Sequence, residues 1–274
     1  MKELNIDSNI YLKVENTNLT GSIKDRITYR IIKDAYLKGI IKSDTIIIEA
    51  TSGNTGISIA CISEILHLKC IIVMPYNTSI KKINLIKQYH GDVLLVKGNM
   101  NDCIKKLDEL KKKYKNHFIL DQFNNKLAVK EHYENTALEI INTINEKIDI
   151  FICGIGTGAT FTGCAKRLKE KNKDTICIGV LPKDNKNMIE GIGAGFIPSI
   201  LDINLIDDII YINNKDAMNY QYILSHTENL YCGLSSGAAL CAGITVAKTN
   251  NNKNIVIILP DDANRYILDG DNNE

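Results

Sequence analysis

Thr45-Ile46-Ile47-Ile48-Glu49-Ala50-Thr51-Ser52-Gly53-Asn54-Thr55-Gly56 passes from a continuous apolar run straight into a loop of hydroxyls and glycines. A helical stretch follows near Thr55–Leu66. Strand, polar-glycine loop and helix is the unit from which open α/β sheets build ligand sites, at the carboxyl ends of their strands. Backbone N–H groups at the start of such a helix favour a carboxylate or a phosphate. Thr51, Ser52 and Thr55 add hydroxyl donors. The plain alternative is an ordinary strand-to-helix turn with good caps; the density of glycine and hydroxyl residues favours a site.

The same alternation extends over the rest of the chain. Strands are expected at Ile10–Val14, Thr45–Glu49, Cys70–Met74, Val93–Lys97, Phe118–Leu120, Ile148–Cys153, Thr175–Leu181, Ile209–Ile212 and Ile255–Leu259. These runs are continuous and rich in Ile and Val, which marks strands buried on both faces of parallel sheets. Ile27, Ile31 and Ala35 recur every fourth residue, and Gly39 follows as a C-cap. Further helices are expected at Ser79–Tyr89, Asn101–Tyr114, Lys130–Ile144, Phe161–Lys171, Lys215–His226 and Gly237–Ala247. The order predicts a doubly wound α/β architecture. The polar tail Asp269–Glu274 is expected to fray.

The composition narrows the classes of function. A chain of 274 residues with 45% hydrophobic content can bury its own core, as one globular unit or two lobes. A net charge of +1 argues against nucleic acid and anionic membranes as partners. Lys111-Lys112-Lys113 reads as the solvated face of a helix. The 8 cysteines show no C-x-x-C and no zinc-type pairing, so no metal site is expected. Cys70, Cys153 and Cys177 sit inside apolar runs, where a free thiol acts as a small hydrophobe. That usage fits a reducing compartment. No apolar signal stretch or membrane-length run is visible, so the expected location is cytoplasmic.

Three more segments carry chemistry. In Thr20-Gly21-Ser22-Ile23-Lys24-Asp25, Ser22 and Asp25 form a capping-box-like pair that puts Lys24 in the first turn of a helix. The positive end of the helix dipole there favours the uncharged amine, the form that attacks a carbonyl. Taken alone, Lys24 reads more simply as an exposed first-turn lysine. Gly154-Ile155-Gly156-Thr157-Gly158-Ala159-Thr160 follows a strand and is shaped to wrap a phosphate. Gly154, Gly156 and Ala159 also match a dinucleotide fingerprint, for which Asp184 is a poorly placed ribose partner. Cys232-Gly233-Leu234-Ser235-Ser236-Gly237 alone reads as a helix N-terminus.

Together these segments resemble the fold-type II pyridoxal 5′-phosphate (PLP) enzymes of the cysteine synthase (O-acetylserine sulfhydrylase) and cystathionine β-synthase group. The resemblance is carried by Gly21–Arg26, Glu49–Gly56, Met74-Pro75 with Ser79-Ile80, Gln122-Phe123, Gly154–Thr160, Glu190–Pro198, Gly233–Gly237 and Ile258–Asp261, all in family order. It implies a two-lobed, tryptophan synthase β-like fold of mostly parallel sheets covered by helices. The smaller N-terminal lobe would span 18–126 and carry Lys24 and the Thr51–Thr55 loop. The larger lobe would comprise 1–17 plus 127–274 and carry the phosphate loop and Ser235. Lys126 would lie near the connection.

By the same resemblance Lys24 is the Schiff-base lysine and general base. Asn54 bonds the cofactor's 3′-oxygen. Thr51, Ser52, Gly53, Asn54 and Thr55, with Gln122, hold the substrate carboxylate. Gly156, Thr157, Gly158, Ala159 and Thr160 cradle the cofactor phosphate. Ser235 faces the pyridine nitrogen. The implied activity is β-replacement or β-elimination on a small amino acid with sulfide or a thiol, in a cytoplasmic homodimer. Cysteine synthesis, cystathionine formation and cysteine desulfuration all remain within it. A silent binding subunit and an NAD-dependent oxidoreductase are the alternatives from other classes. The chain departs from the family pattern in four places. No Gly-Asn-Thr-Pro-Leu segment precedes the first strand. The 182–189 stretch is short. Ala159 stands where relatives often have Gly. The chain ends soon after Tyr266.

Overall fold

The computed structural model describes residues 6–183 and 188–266. Asp184, the centre of the short 182–189 stretch and the tail Asp269–Glu274 lie outside the described residues. The described chain divides into two compact units. Thr17–Asp121, rejoined by Arg265 and Tyr266, forms one; Gln122–Asn264, with the N-terminal residues up to Asn16, forms the other.

β1 (Asn9–Val14) belongs to the second unit, where it pairs in parallel with the last strand. The first unit then begins with α1 (Lys24–Leu37), which buries Ile27, Ile31 and Ala35. Gly39, at φ 67°, ends it: its N–H donates to Tyr36 O and that of Ile40 donates to Ala35 O. This paired closure needs a left-handed residue at Gly39. The unit's sheet has the order β4-β3-β2-β5, from β2 (Ile46–Ala50), β3 (Lys69–Pro75), β4 (Asp92–Val96) and β5 (His117–Phe118). Every pairing is parallel. The helices between are α2 (Asn54–Ile65), α3 (Ile80–Gln88) and α4 (Met100–Lys113). In α4, Cys103, Leu107 and Leu110 form the buried stripe against β2 and β3. Lys111, Lys112 and Lys113 are exposed, with Lys111 on Asp108 at 2.6 Å, so the basic run is a solvated face.

The second unit carries α5 (Lys126–Glu131), a π-turn at His132–Thr136, α6 (Ala137–Thr143), β6 (Ile150–Gly154), α7 (Ala159–Lys171), β7 (Ile176–Pro182), β8 (Asp208–Ile212), α8 (Asn214–Thr227), α9 (Leu234–Ala247) and β9 (Asn254–Leu259). The sheet order is β1-β9-β6-β7-β8, all parallel. Its core packs Ile150, Ile152, Ile178 and Ile257 against the small-residue face of α9, where Ala238, Ala239 and Ala242 are buried.

Two expectations change. The helix read as Lys130–Ile144 begins at Lys126 and is broken by the π-turn, which shifts the periodicity. The helix read as Gly237–Ala247 begins at Leu234, so Ser235 and Ser236 lie inside its first turn. Gly237 belongs to the helix because α8 passes so close: a Cβ there would meet Ala217 O at 2.1 Å.

Candidate active site

Both sheets have a switch point, where successive connections leave a strand in opposite directions. In the first unit it lies between β2 and β5, in the second between β6 and β9. Ligands of open α/β sheets bind outside the carboxyl ends of strands at such points. The Thr51–Thr55 loop leaves β2 and the Gly154–Thr160 loop leaves β6.

Lys24 is the first residue of α1. Ser22 Oγ accepts its N–H at 3.3 Å, and Asp25 accepts the Ser22 N–H at 3.4 Å. The short Asp25 side chain does more than cap. It also accepts the Thr20 N–H at 2.7 Å, the Thr20 hydroxyl at 2.6 Å and the Ser58 hydroxyl at 2.5 Å. Ser58 belongs to α2, so one buried carboxylate ties the Lys24 turn to the helix that Asn54 opens.

In the β2 loop, the Thr51 N–H donates to Val73 O at 3.0 Å and its hydroxyl accepts the Gly53 N–H at 3.3 Å. Thr51, Gly53 and Thr55 are buried and Ser52 is exposed. Behind the loop, Glu49 Oε2 accepts the N–H of Leu120 at 3.0 Å and of Asp121 at 3.3 Å. Asp121 has a φ of 53°, in the left-handed region. Glu49 therefore holds the strained residue immediately before Gln122, itself buried in the other unit.

Burial pushes the Glu49 carboxyl from 4.5 up to about 8, against the two N–H donors that lower it. The folded state thus prefers the protonated acid. Its contribution to stability is fully present below pH 4.5 and is lost as pH rises through about 8. Glu49→Gln keeps an acceptor for both N–H groups and cannot ionise. Relative to wild type, the variant should gain on the order of a few kcal/mol between pH 5 and pH 8. Denaturant melts at both pH values check this; equal pH slopes for the two proteins would refute it.

The β6 loop is a nest of N–H groups. Gly158, at φ 85°, turns left-handed just before α7. The N–H groups of Gly156, Thr157, Gly158 and Thr160 enter no hydrogen bond among the described residues. That of Ala159 has the Thr157 hydroxyl at 3.4 Å. First-turn N–H groups need outside acceptors, and no carboxylate lies within 154–160. This donor set fits a phosphate dianion. The loop's shape is fixed by the Glu190–Pro198 segment, whose Gly193 N–H donates to Ile155 O at 2.8 Å. At the neighbouring strand end, the Gly233 N–H donates to Asp261 O at 3.0 Å and anchors α9. Ser235 is 4% exposed, and its hydroxyl has no partner among the described residues.

Two residues in this framework carried no motif. His132 is buried, sharing a hydrogen bond of 3.1 Å with the Thr160 hydroxyl and one of 2.9 Å with Thr136. Arg265 reaches Asn54 and Thr20. A π-turn is a frequent mark of functional helices, but no sequence pattern announces one. The cysteines contribute no nucleophile. All eight are buried and free, and burial pushes the Cys177 and Cys232 thiols up to about 12.

Residues 1–261 match the family model described as pyridoxal-phosphate dependent enzyme. The chain belongs to this family. It is 39% identical to cysteine synthase B of Campylobacter jejuni, over 94% of this chain and 90% of that protein. It is also 39% identical to cystathionine beta-synthase of Apis mellifera, over 97% of this chain but only 56% of that longer protein. Among solved structures, a hydrogen sulfide-producing enzyme from Fusobacterium nucleatum superposes with a TM-score of 0.92 at 40% identity, covering 96% of this chain and 93% of that one. The family match lends no support to the dinucleotide reading of the G-x-G-x-x-A spacing at Gly154–Ala159. The expected Asp184 partner of a dinucleotide lies outside the described residues.

Proposed function

We propose that the chain catalyses β-replacement on a small amino acid as a cysteine synthase does, converting O-acetylserine and sulfide to cysteine and acetate. The observation that carries the reading is the difference between the two switch-point loops. One is a bare N–H nest suited to a phosphate, the other a hydroxyl-rich loop suited to a carboxylate. A phosphorylated cofactor matches the first loop and an amino-acid substrate the second.

When bound, PLP supplies an electron sink next to the substrate α-carbon. Lys24 would hold the cofactor through Nζ, and the same nitrogen, once free, would take the substrate α-proton. The Thr51–Thr55 loop and Gln122 fix the substrate carboxylate and so aim the α-hydrogen. Asn54 donates to the ring oxygen. Gly156–Thr160 anchor the phosphate. Ser235 would offer a neutral hydroxyl to the ring nitrogen, which, unlike a carboxylate, would not hold that nitrogen protonated and so would temper the electron sink. The displaced group leaves with its bonding pair, and sulfide supplies the new one. The buried thiols support work in a reducing compartment, for which the cytoplasm is the proposed location. A homodimer is the expected assembly.

The Fusobacterium structure favours one second reading, release of sulfide from cysteine. Both directions pass through the same groups, so kinetics must separate them. Purified protein with PLP should form cysteine from O-acetylserine and sulfide at least about tenfold more efficiently than it releases sulfide from cysteine, a difference of about 1.4 kcal/mol in barrier. Faster release than synthesis would establish the second reading. Absence of α-proton exchange with O-acetylserine, cysteine and homocysteine alike would mark a binding subunit.

A further inference from the structure

Arg265 and Tyr266 belong to the Thr17–Asp121 unit, although the strand before them, β9, belongs to the other. Arg265 is 2% exposed. One terminal nitrogen of its guanidinium donates to Asn54 Oδ1 at 3.0 Å, and the second donates to Thr20 Oγ1 at 2.9 Å. Thr20 passes its own hydrogen to Asp25, the residue after Lys24. The buried Nε of Arg265 has no acceptor among the described residues. The Tyr266 ring lies 4.5 Å from Lys82 Nζ. Lys82 is 1% exposed and stands against Gly53, where a Cβ would come within 3.2 Å of Nζ. Two consecutive residues thus brace the Gly53-Asn54 step, Arg265 directly and Tyr266 through Lys82.

A guanidinium carries donors and no acceptor. The Asn54 amide facing it must present oxygen, and its nitrogen is then turned away from Arg265 as a donor. An asparagine free to flip would offer either end to its ligand, and an amide oxygen set against an anionic oxygen is repulsive. We propose that Arg265 is a positioning residue that locks the Asn54 amide with its NH2 toward the cofactor, so that the site selects an anionic ring oxygen. A buried arginine with one nitrogen unsatisfied is poorly accounted for by stability alone, because each orphaned donor is destabilising. Orientation of Asn54 accounts for the first of its two bonds, and the bond to Thr20 holds the guanidinium in place for it. The inference rests on the assignment of Asn54 to the cofactor's 3′-oxygen.

The test compares Arg265→Met, Arg265→Lys, Asn54→Ala and the Arg265→Met/Asn54→Ala pair, each reconstituted with PLP. Absorbance spectra of the bound cofactor and PLP affinity by equilibrium titration are the readouts, with thermal unfolding of the cofactor-free proteins as a check on folding. Arg265→Met should weaken PLP binding on the order of ten- to a hundredfold, the loss expected for one charge-assisted hydrogen bond. It should also change the ratio of long- to short-wavelength bands in the same direction as Asn54→Ala. The pair should show no further change in that ratio, and Arg265→Lys, which keeps one donor, should lie between. Should Arg265→Met fail to fold, Arg265→Lys carries the spectral comparison. A wild-type spectrum in the folded Arg265 variants, or effects that simply add to those of Asn54→Ala, would overturn the proposal. Wild type that takes up no PLP would instead sink the underlying cofactor reading.

Discussion

Lys24→Ala should lower turnover by at least about a thousandfold, within the span of a lost general base, and should leave no cofactor bound after borohydride reduction and denaturation. The variant should still fold. Lys24 opens α1, its side chain is only partly buried, and the cap bonds around it run through its backbone N–H, Ser22 and Asp25. Alanine is the best helix former, and a substitution at such a site typically moves stability by no more than about 0.5 kcal/mol. The N–H nest proposed to hold the phosphate is untouched, so the variant should still bind PLP reversibly. Steady-state rates, and the absorbance of borohydride-reduced wild type and variant after denaturation and desalting, measure both effects. Turnover within tenfold of wild type would show that the base lies elsewhere.

Gly156→Ala should be nearly as damaging, for a reason that is purely steric. A Cβ at Gly156 would lie 2.1 Å from the carbonyl oxygen of Gly191, a backbone atom that no rotamer change can clear. Either the loop after β6 or the Glu190–Pro198 segment must move. Overpacking of this kind typically costs about 1–3 kcal/mol of stability. The larger effect falls on binding, since any shift re-aims the N–H groups of the nest. Loss of one or two charge-assisted bonds should weaken PLP affinity on the order of a hundredfold. Titration of the cofactor-free protein with PLP reads this, and an affinity within twofold of wild type would mean the loop does not hold the phosphate.

The parts of this molecule that were legible in its sequence share a physical cause. Parallel strands buried on both faces must be apolar throughout, so runs such as Ile46–Ile48 and Ile255–Leu259 announce themselves without neighbours. The glycine and hydroxyl loops stand out because they follow those strands directly. Boundaries that depend on packing did not read. Gly237 looks like the edge of a helix, yet it is required inside one by the approach of Ala217. The π-turn at His132–Thr136 leaves no periodic trace. The least legible residues act at long range. Arg265 meets Asn54 across 211 positions of chain, and no local pattern encodes that meeting. His132 reaches Thr160 across 28. Lys24 on its own reads as an ordinary first-turn lysine; its proposed role comes from the motifs that accompany it along the sequence in family order.

Lys24 is the residue proposed to carry the cofactor. Borohydride reduction of the PLP-loaded protein, followed by tryptic digestion and mass spectrometry, tests it directly. The account predicts one modified peptide, with the pyridoxyl group on Lys24 Nζ and tryptic cleavage blocked there. A label on Lys82 or any other lysine, with Lys24 unmodified, would contradict it.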